Sequence, residues 1–297
     1  MTLNRIAVYG HRGAVAKVLH RASSDISNLP THITKVEIDV NDEPCLIEAL
    51  QDIDIVVSLV GHEGVQRQHG FVRAIPKTNV KLFSPSDLAG RYDEQGLKIG
   101  VNKEKHELET AAPAAGIPTT VVLIGNFAEF ALNTMGMVVD LAGNKITYSG
   151  NSADEKLNIC TRKYVAAAYV SIFSTTPISQ LKNRAIALCE LVPTGKDIAA
   201  MMETKHGIAP QTSSHGLEKV NGEVEKGLES GSLFTLAWYC RKIWGAGQQV
   251  QMIGSDLWEV DGYKKATLED LILGGELGAY REMPAQVVEY FRHCFQH

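Results

Sequence analysis

The stretch IAVYGHRGAVAKVLHRASSD, residues 6–25, sets an apolar run, Ile6-Ala7-Val8-Tyr9, before two glycines, Gly10 and Gly13. A strand that ends in a glycine turn and enters a helix makes a phosphate site. Backbone N–H groups at the helix start point outward, and the glycines let a pyrophosphate approach with no Cβ in the way. The third small position is Ala16 instead of glycine. So short a motif reads equally well as any tight strand-to-helix turn, and the rest of the chain has to decide.

Beyond it, strand and helix alternate. KVEIDV (35–40) reads as a buried strand, EPCLIEAL (43–50) as an amphipathic helix opened by Asn41 and Asp42, and DIVVSLVG (54–61) as another apolar strand. VQRQHGFVRAI (65–75) fits a helix, VKLFSPSD (80–87) a strand running into a turn, NKEKHELETAAPAAG (102–116) a helix closed by Gly116, and TTVVLIG (119–125) a strand. Continuously apolar strands separated by helices predict a parallel sheet covered on both faces, a doubly wound α/β domain of Rossmann type. In such sheets a ligand lies beyond the carboxyl ends of the strands. The residues there are Gly10, His11, Arg12 and Gly13, then Ser58 to Gly61, Ser84 to Asp87, and Gly125 to Phe127.

Composition excludes several classes of function. The 297 residues are 44% hydrophobic and 21% charged, with a formal net charge of −5. That gives no broad basic face for nucleic acid and no polybasic arm for acidic lipid. The cysteines (Cys45, Cys160, Cys189, Cys240, Cys294) are scattered and form no C-x-x-C pair, so neither a zinc site nor a disulfide framework is indicated. His62, His69 and His106 have no metal-ligand spacing. The N-terminus lacks a signal pattern, and no apolar run approaches the roughly 18 residues of a membrane span. The expected address is the cytoplasm.

The run VKLFSPSDLAG followed by NKEKHELETAAPAAGIPTTVVLIGNFAEF resembles the NmrA-like and isoflavone-reductase-like branch of the atypical short-chain dehydrogenases. The residues that carry the resemblance are Phe83, Pro85, Ser86 and Asp87 at a strand end, Lys105 and Glu109 on a helix, Gly116, Pro118 and Thr120 in the turn to the next strand, and Asn126 and Phe127 after it. Weaker similarity runs through KITYSGN (145–151) and LVPTGKDIAAMM (191–202). The resemblance implies an NADP(H)-binding fold with an active-site lysine, here Lys105. It also implies cofactor contacts at Gly10, His11, Arg12, Gly13, Ser58, Gly61, Ser84, Pro85, Ser86, Asn126 and Phe127. In ordinary short-chain dehydrogenases a tyrosine four residues before the lysine donates a proton. Here that position is Val101, so proton transfer falls to Lys105 or to a water it orients. Lys103 competes for the role but points to a different helix face.

Arg12 and Arg21 favour NADP over NAD, because no acidic residue is placed to bond the ribose hydroxyls at the second strand's end. The implied organisation is a cofactor-binding domain over 1–125 and a substrate subdomain over 126–297, interleaved with the last sheet strands. In the second half, RAIALCELV (184–192) reads as a strand and TGKDIAAMMETKHG (194–207) as a helix capped by Thr194 and ended by Gly207. HGLEKVNGEVEKGLESGS (215–232) reads as a flexible connection or an exposed helix. FTLAWYCRKIWG (234–245) is an aromatic amphipathic stretch that packs the core or lines the substrate pocket.

Two functions fit. One is an NADPH-dependent reductase of a small, aromatic or conjugated metabolite. The other is a dinucleotide-binding regulatory protein with a protein partner and no turnover. The opening stretch carries its own expectation. Between Gly10 and the KVEIDV strand there is room for one crossover, so either AVAKVLHRA is a shortened first helix or KVLHRASS is the second strand with the first helix missing. Helix propensity favours the former. It predicts a helix over 14–22, a sheet one strand smaller at that edge, and weakened NADPH binding.

Overall fold

The computed structural model describes residues 4–9 and 17–295. In chain order the elements are β1 (Ile6–Tyr9), β2 (Lys17–His20), β3 (Thr34–Glu37), α1 (Glu43–Leu50), β4 (Ile55–Ser58), α2 (His69–Ala74), β5 (Leu82–Ser84), α3 (Gly100–Ala114) and β6 (Thr120–Leu123). Then come β7 (Asn126–Phe127), α4 (Ala128–Asn133), β8 (Val139–Asp140), β9 (Lys145–Ser149), β10 (Ile159–Cys160), α5 (Arg162–Val170) and β11 (Arg184–Ala187). The last are α6 (Gly195–His206), β12 (Gln211–His215), α7 (Leu217–Ser230), α8 (Thr235–Gly245), α9 (Leu268–Ile272) and α10 (Ala285–His293). The chain divides into two compact units. The first comprises residues up to Leu88, Asp93–Val122 and Ala166–Ile186; the second comprises Ala89–Tyr92, Leu123–Val165 and the residues from Ala187 onward.

The first unit is built on a parallel sheet in the order β3-β2-β1-β4-β5, extended by a parallel bridge from Phe83 to Thr119 and by the pairing of β6 with β11. Register sorts the side chains into two faces. Tyr9 lies opposite Ser58, while Val8 lies opposite Val57 and Val57 opposite Ser84. Ala7, Tyr9, Leu19, Val56 and Phe83 therefore share one face, where they pack with Leu46 and Leu50 of α1, Phe71 of α2, and Leu108 and Ala112 of α3. Gly70 lets α2 lie against the chain beyond β3, since a Cβ there would stand 2.1 Å from the Val40 carbonyl oxygen. Asp42 caps α1 by accepting the Cys45 N–H at 3.1 Å.

The expected helix over 14–22 is overturned for its described part. Residues 17–20 form β2, paired in parallel with β1 on one side and β3 on the other; residues 14–16 lie outside the described residues. Helix propensity loses to burial. Leu19 enters the helix-side core and Val18 packs with Leu29 and Ile33, so both faces of the strand are covered. Burying two such side chains is worth about 1.5–3 kcal/mol each, more than the propensity difference at stake. Lys17 fixes the strand's start, reaching the Asp52 carboxylate at 2.5 Å and the Ala49 carbonyl at 3.1 Å. The expectation of a smaller sheet fails with it, because β3 and β2 are both present beyond β1. What is short is the connection: residues 10–16 alone join two parallel strands, where a crossover normally takes a dozen residues or more. The expected helix over 65–75 is α-helical only at 69–74, between single 3₁₀ turns.

The second unit holds the three-stranded sheet β12-β9-β8 and the pair β10-β7. Its core joins Leu132, Met137, Ile146 and Ile159 to Ile198 and Met202 of α6 and Trp244 of α8. α6 begins with the Thr194–Asp197 capping box and ends on Gly207 at φ 71°, both as expected. The polar segment 215–232 is not a flexible connection: α7 is a helix whose Val220, Val224 and Gly227 are buried. Two buried carboxylates serve the start of α5. Glu190 accepts the Thr161 N–H at 2.6 Å, and Glu129 accepts the Arg162 N–H at 3.0 Å. Burial pushes the Glu190 carboxyl up, while its hydrogen bonds from Thr161 and Ala266 oppose the rise. Among the described residues no helix is long and apolar enough to cross a membrane.

Asp54 ties the lower edge of the first unit's sheet, accepting from Arg5 Nε at 2.9 Å and Lys81 Nζ at 2.9 Å. The Arg5 hydrogen bond, helped by Lys81 against an opposing burial effect, holds its carboxyl far below the usual 3.8. A depressed pKa contributes stability that is fully present above the unfolded value and is lost as pH falls towards the folded one. Asp54→Asn is therefore expected to lower Tm by a few degrees at pH 7. The gap from wild type, followed by circular dichroism melts, should close as pH drops from 4 to 2.

Candidate functional site

Among the described residues, the first unit gathers Ser58, Gly61, Ser84, Pro85, Ser86 and Lys105 at the carboxyl ends of β4 and β5. α3 presents one buried stripe, Asn102, Lys105, Leu108 and Ala112, at helical spacing. Asn102 anchors the first turn by donating Nδ2–H to the Gly96 carbonyl at 3.1 Å. One turn on, Lys105 is 8% exposed and donates from Nζ to the Asp87 backbone carbonyl at 2.7 Å. Its ammonium stands 3.7 Å from the Asp87 carboxylate. Lys103 is off the stripe, exposed, and 3.8 Å from Glu107. The structure thus separates the two lysines as the helix register requires, and only Lys105 points to the strand ends.

The loop that carries Asp87 is clamped from several sides. Ser86 donates its hydroxyl to the Val60 carbonyl at 2.7 Å, lacing the ends of β4 and β5 together. Its N–H goes to Gln68 Oε1 at 2.8 Å, and Gln68 is itself fully buried. Leu88 takes φ 50°, unusual without glycine, and donates its N–H to the Val122 carbonyl at 3.1 Å. Each clamp is backbone-specific, so the position of the Asp87 carbonyl is over-determined.

Among the described residues, four hydroxyls of this unit are buried with no short hydrogen bond: Tyr9 Oη, Ser58 Oγ, Ser84 Oγ and Tyr169 Oη, the last two lying near each other. Three of them terminate β1, β4 and β5. Tyr9 is packed edge-on against Phe71, 5.1 Å between centroids, and burial pushes its phenol up. Burial also pushes up the phenol of Tyr169, with the Asp87 charge adding to the rise and the Ser84 hydroxyl opposing it. Buried hydroxyls without a short hydrogen bond are uncommon, and by register Ser58 shares the Tyr9 face of the sheet while Ser84 shares the Val57 face.

Pro85 is buried beside Ser84, and Gly61 is exposed after β4. The other expected residues are dispersed. Arg21 is exposed just beyond β2. Gly10, His11, Arg12 and Gly13 lie outside the described residues. Asn126 and Phe127 form β7 in the second unit, paired with β10. There Asn126 Oδ1 accepts from Gln249 Nε2 at 3.3 Å, and its Nδ2 reaches Cys240 Sγ at 3.8 Å. Among the described residues no group of His, Cys, Asp or Glu could hold a metal ion. Sequence reading missed Gln68 and Tyr169. Neither stands in a motif; each reaches the loop only because α2 and α5 fold back to it.

A parallel sheet in this order, with helices packed on it and site residues at its carboxyl edge, defines a Rossmann-type α/β protein. The NmrA-like family matches residues 5–216, and the chain belongs to that family. It is 31% identical over 118 residues to an isoflavone reductase homolog of Zea mays, a match covering 36% of each chain. It is 25% identical over 201 residues to isoflavone reductase of Medicago sativa, covering 64% of this chain and 61% of that one. The chain thus spans only about a third of the length of the maize relative it matches. Among solved structures, the binary complex of leucoanthocyanidin reductase with NADPH from Vitis vinifera superposes with TM-score 0.66 at 16% identity, over 99% of this chain and 100% of that chain. At that identity the likeness establishes the shared fold.

Replacing Lys105 by methionine leaves the buried Asp87 carboxylate without its ammonium. Losing one partner of a buried pair costs about 3–5 kcal/mol. Lys105→Met is expected to lose stability on that scale in urea unfolding, and Lys103→Ala to stay within about 0.5 kcal/mol of wild type. Equal losses in the two variants would refute the separation of the lysines.

Proposed function

We propose that the protein is an NADPH-dependent reductase of a small aromatic or conjugated metabolite, with Lys105 as its catalytic residue. The observation that carries this reading is the buried Lys105 ammonium, held at the carboxyl end of β5 by an over-determined loop. The Vitis vinifera reductase that shares the fold is a complex with NADPH, and the relatives from Zea mays and Medicago sativa carry isoflavone reductase names. Ser58 Oγ, buried at the end of β4 with no hydrogen-bond partner among the described residues, suits a polar ligand at the strand ends, which supports NADPH as the cofactor. When bound, it would supply a hydride.

The chain's own residues do the rest. Val101 stands where a proton-donating tyrosine would stand. The Tyr169 hydroxyl is enclosed and cannot reach a substrate from where it lies. Charge developing on a substrate oxygen would then be met by Lys105 Nζ, whose positive charge stabilises it in a water-poor site. The Asp87 carbonyl takes one Nζ hydrogen and aims the ammonium, and the Asp87 carboxylate stands 3.7 Å from it. Lys105 therefore stabilises the anion or passes it a proton, and Asp87 positions Lys105.

The short connection 10–16 favours the second reading, a dinucleotide-binding regulator without turnover. Only seven residues, 10–16, separate β1 from β2, where a crossover between parallel strands normally takes a dozen or more. Losing one or two charge-assisted contacts there would weaken binding by about tenfold to a hundredfold.

Fluorescence titration with NADPH, followed by NADPH consumption over a panel of isoflavones and related phenolics, tests both readings. The reductase reading expects binding and turnover. In folded Lys105→Ala protein turnover should vanish while NADPH affinity stays within a few-fold; undiminished turnover sinks the assignment. Binding without turnover of any compound would favour the regulator, and no binding would defeat both.

Cofactor choice is tested separately at Arg21, exposed at the end of β2. If its guanidinium meets the 2′-phosphate, Arg21→Ala should weaken NADPH by about tenfold to a hundredfold and leave NADH nearly unchanged. An unaltered NADPH-to-NADH preference, measured by the same titration, would place specificity elsewhere.

A further inference from the structure

Helix α8 carries Arg241 into the interior of the second unit, where the side chain has no exposed surface. Its Nε–H donates to the Gly136 carbonyl at 2.8 Å. Both terminal nitrogens, Nη1 and Nη2, are buried without a hydrogen-bond partner among the described residues. The guanidinium lies 4.3 Å from the centroid of the Trp238 ring and 5.7 Å from that of Phe291. Trp238 donates its Nε1–H to Tyr290 Oη at 2.7 Å, and Tyr290 stacks on Phe234 with centroids 3.6 Å apart.

A buried guanidinium with two unsatisfied N–H groups is costly, and buried charges in folded proteins are normally paired. The cation–π contact with Trp238 offsets part of that cost and satisfies none of the N–H groups. The adjacent Nη1 and Nη2 form a planar fork, the shape that receives a carboxylate through two parallel hydrogen bonds. One guanidinium balances one negative charge. The surrounding rings, Trp238, Tyr290, Phe291 and Phe234, match a flat apolar body.

We propose that the second unit binds an aromatic monocarboxylate, with its carboxylate on Arg241 Nη1 and Nη2 and its ring among Trp238, Tyr290 and Phe291. The way in is under α10. Of that helix only Phe291 is buried, and its ring is the one that lies beside the guanidinium. This site is independent of NADPH and of the Lys105 reading.

The probes are 3-phenylpropanoate and its uncharged amide, 3-phenylpropanamide, titrated into the whole protein without NADPH by calorimetry. The acid is expected to bind and to raise Tm; the amide should bind at least tenfold more weakly. Folded Arg241→Gln should lose the difference between them. Should that variant not fold, proton-exchange NMR on the wild type decides the matter. Acid, and not amide, is expected to slow the exchange of one arginine's Nη–H signals. Equal binding of acid and amide, no binding of the acid, or Arg241 Nη–H signals already protected without ligand, as an enclosed water would make them, would overturn the proposal.

Discussion

The hydrogen bond from Lys105 Nζ to the Asp87 carbonyl is the contact on which the first unit's upper edge depends. It joins α3 to the loop after β5, and it does so through a backbone atom that Ser86, Gln68 and Leu88 each help to fix. A charged side chain buried this deeply has to be satisfied locally, because water cannot do it. Asp87 supplies both a carbonyl and a carboxylate. The same requirement that holds the fold together there presents a cation at the strand ends, so stability and chemistry share one pair of residues.

The opposite solution is found where no carboxylate faces the charge. In the second unit Glu129 and Glu190 are buried but spent on the first N–H groups around α5, which would otherwise be orphaned. Arg241 is buried with an aromatic face for company and only its Nε–H bonded. Two anions meet backbone donors and one cation meets a ring. The remaining N–H groups of Arg241 meet no acceptor among the described residues, which is why they point to a ligand.

The N-terminal edge shows two parallel strands paired in register across a short connecting segment. β1 and β2 keep the register Ala7–Lys17 to Tyr9–Leu19, although residues 10–16 alone connect them. The pairing persists because Val18 and Leu19 are buried on opposite faces and Lys17 is tied to α1 through Asp52 and Ala49. The adhesion of the strand comes from its faces, and the connection only has to be long enough to close. A phosphate site asks more of that connection than closure does, since it needs oriented N–H groups at a helix start.

Local chemistry wrote much of this protein into its sequence. The apolar runs that became β4, β5 and β6, the Asp42 cap of α1, the Thr194–Asp197 box with Gly207 behind it, and the helical stripe that buries Lys105 and exposes Lys103 depend on neighbours within one or two turns, so they were legible. The NmrA-like motif at Phe83 to Asp87 was legible for the same reason. The tertiary structure decided what local rules left balanced. KVLH is a fair helix by propensity and became a strand because two cores waited for Val18 and Leu19. Gln68, Tyr169 and Arg241 carry no pattern in the sequence. Each matters through a partner far along the chain, Ser86, Asp87 and Gly136 respectively, and only the folded chain brings such partners within reach of a hydrogen bond or a charge.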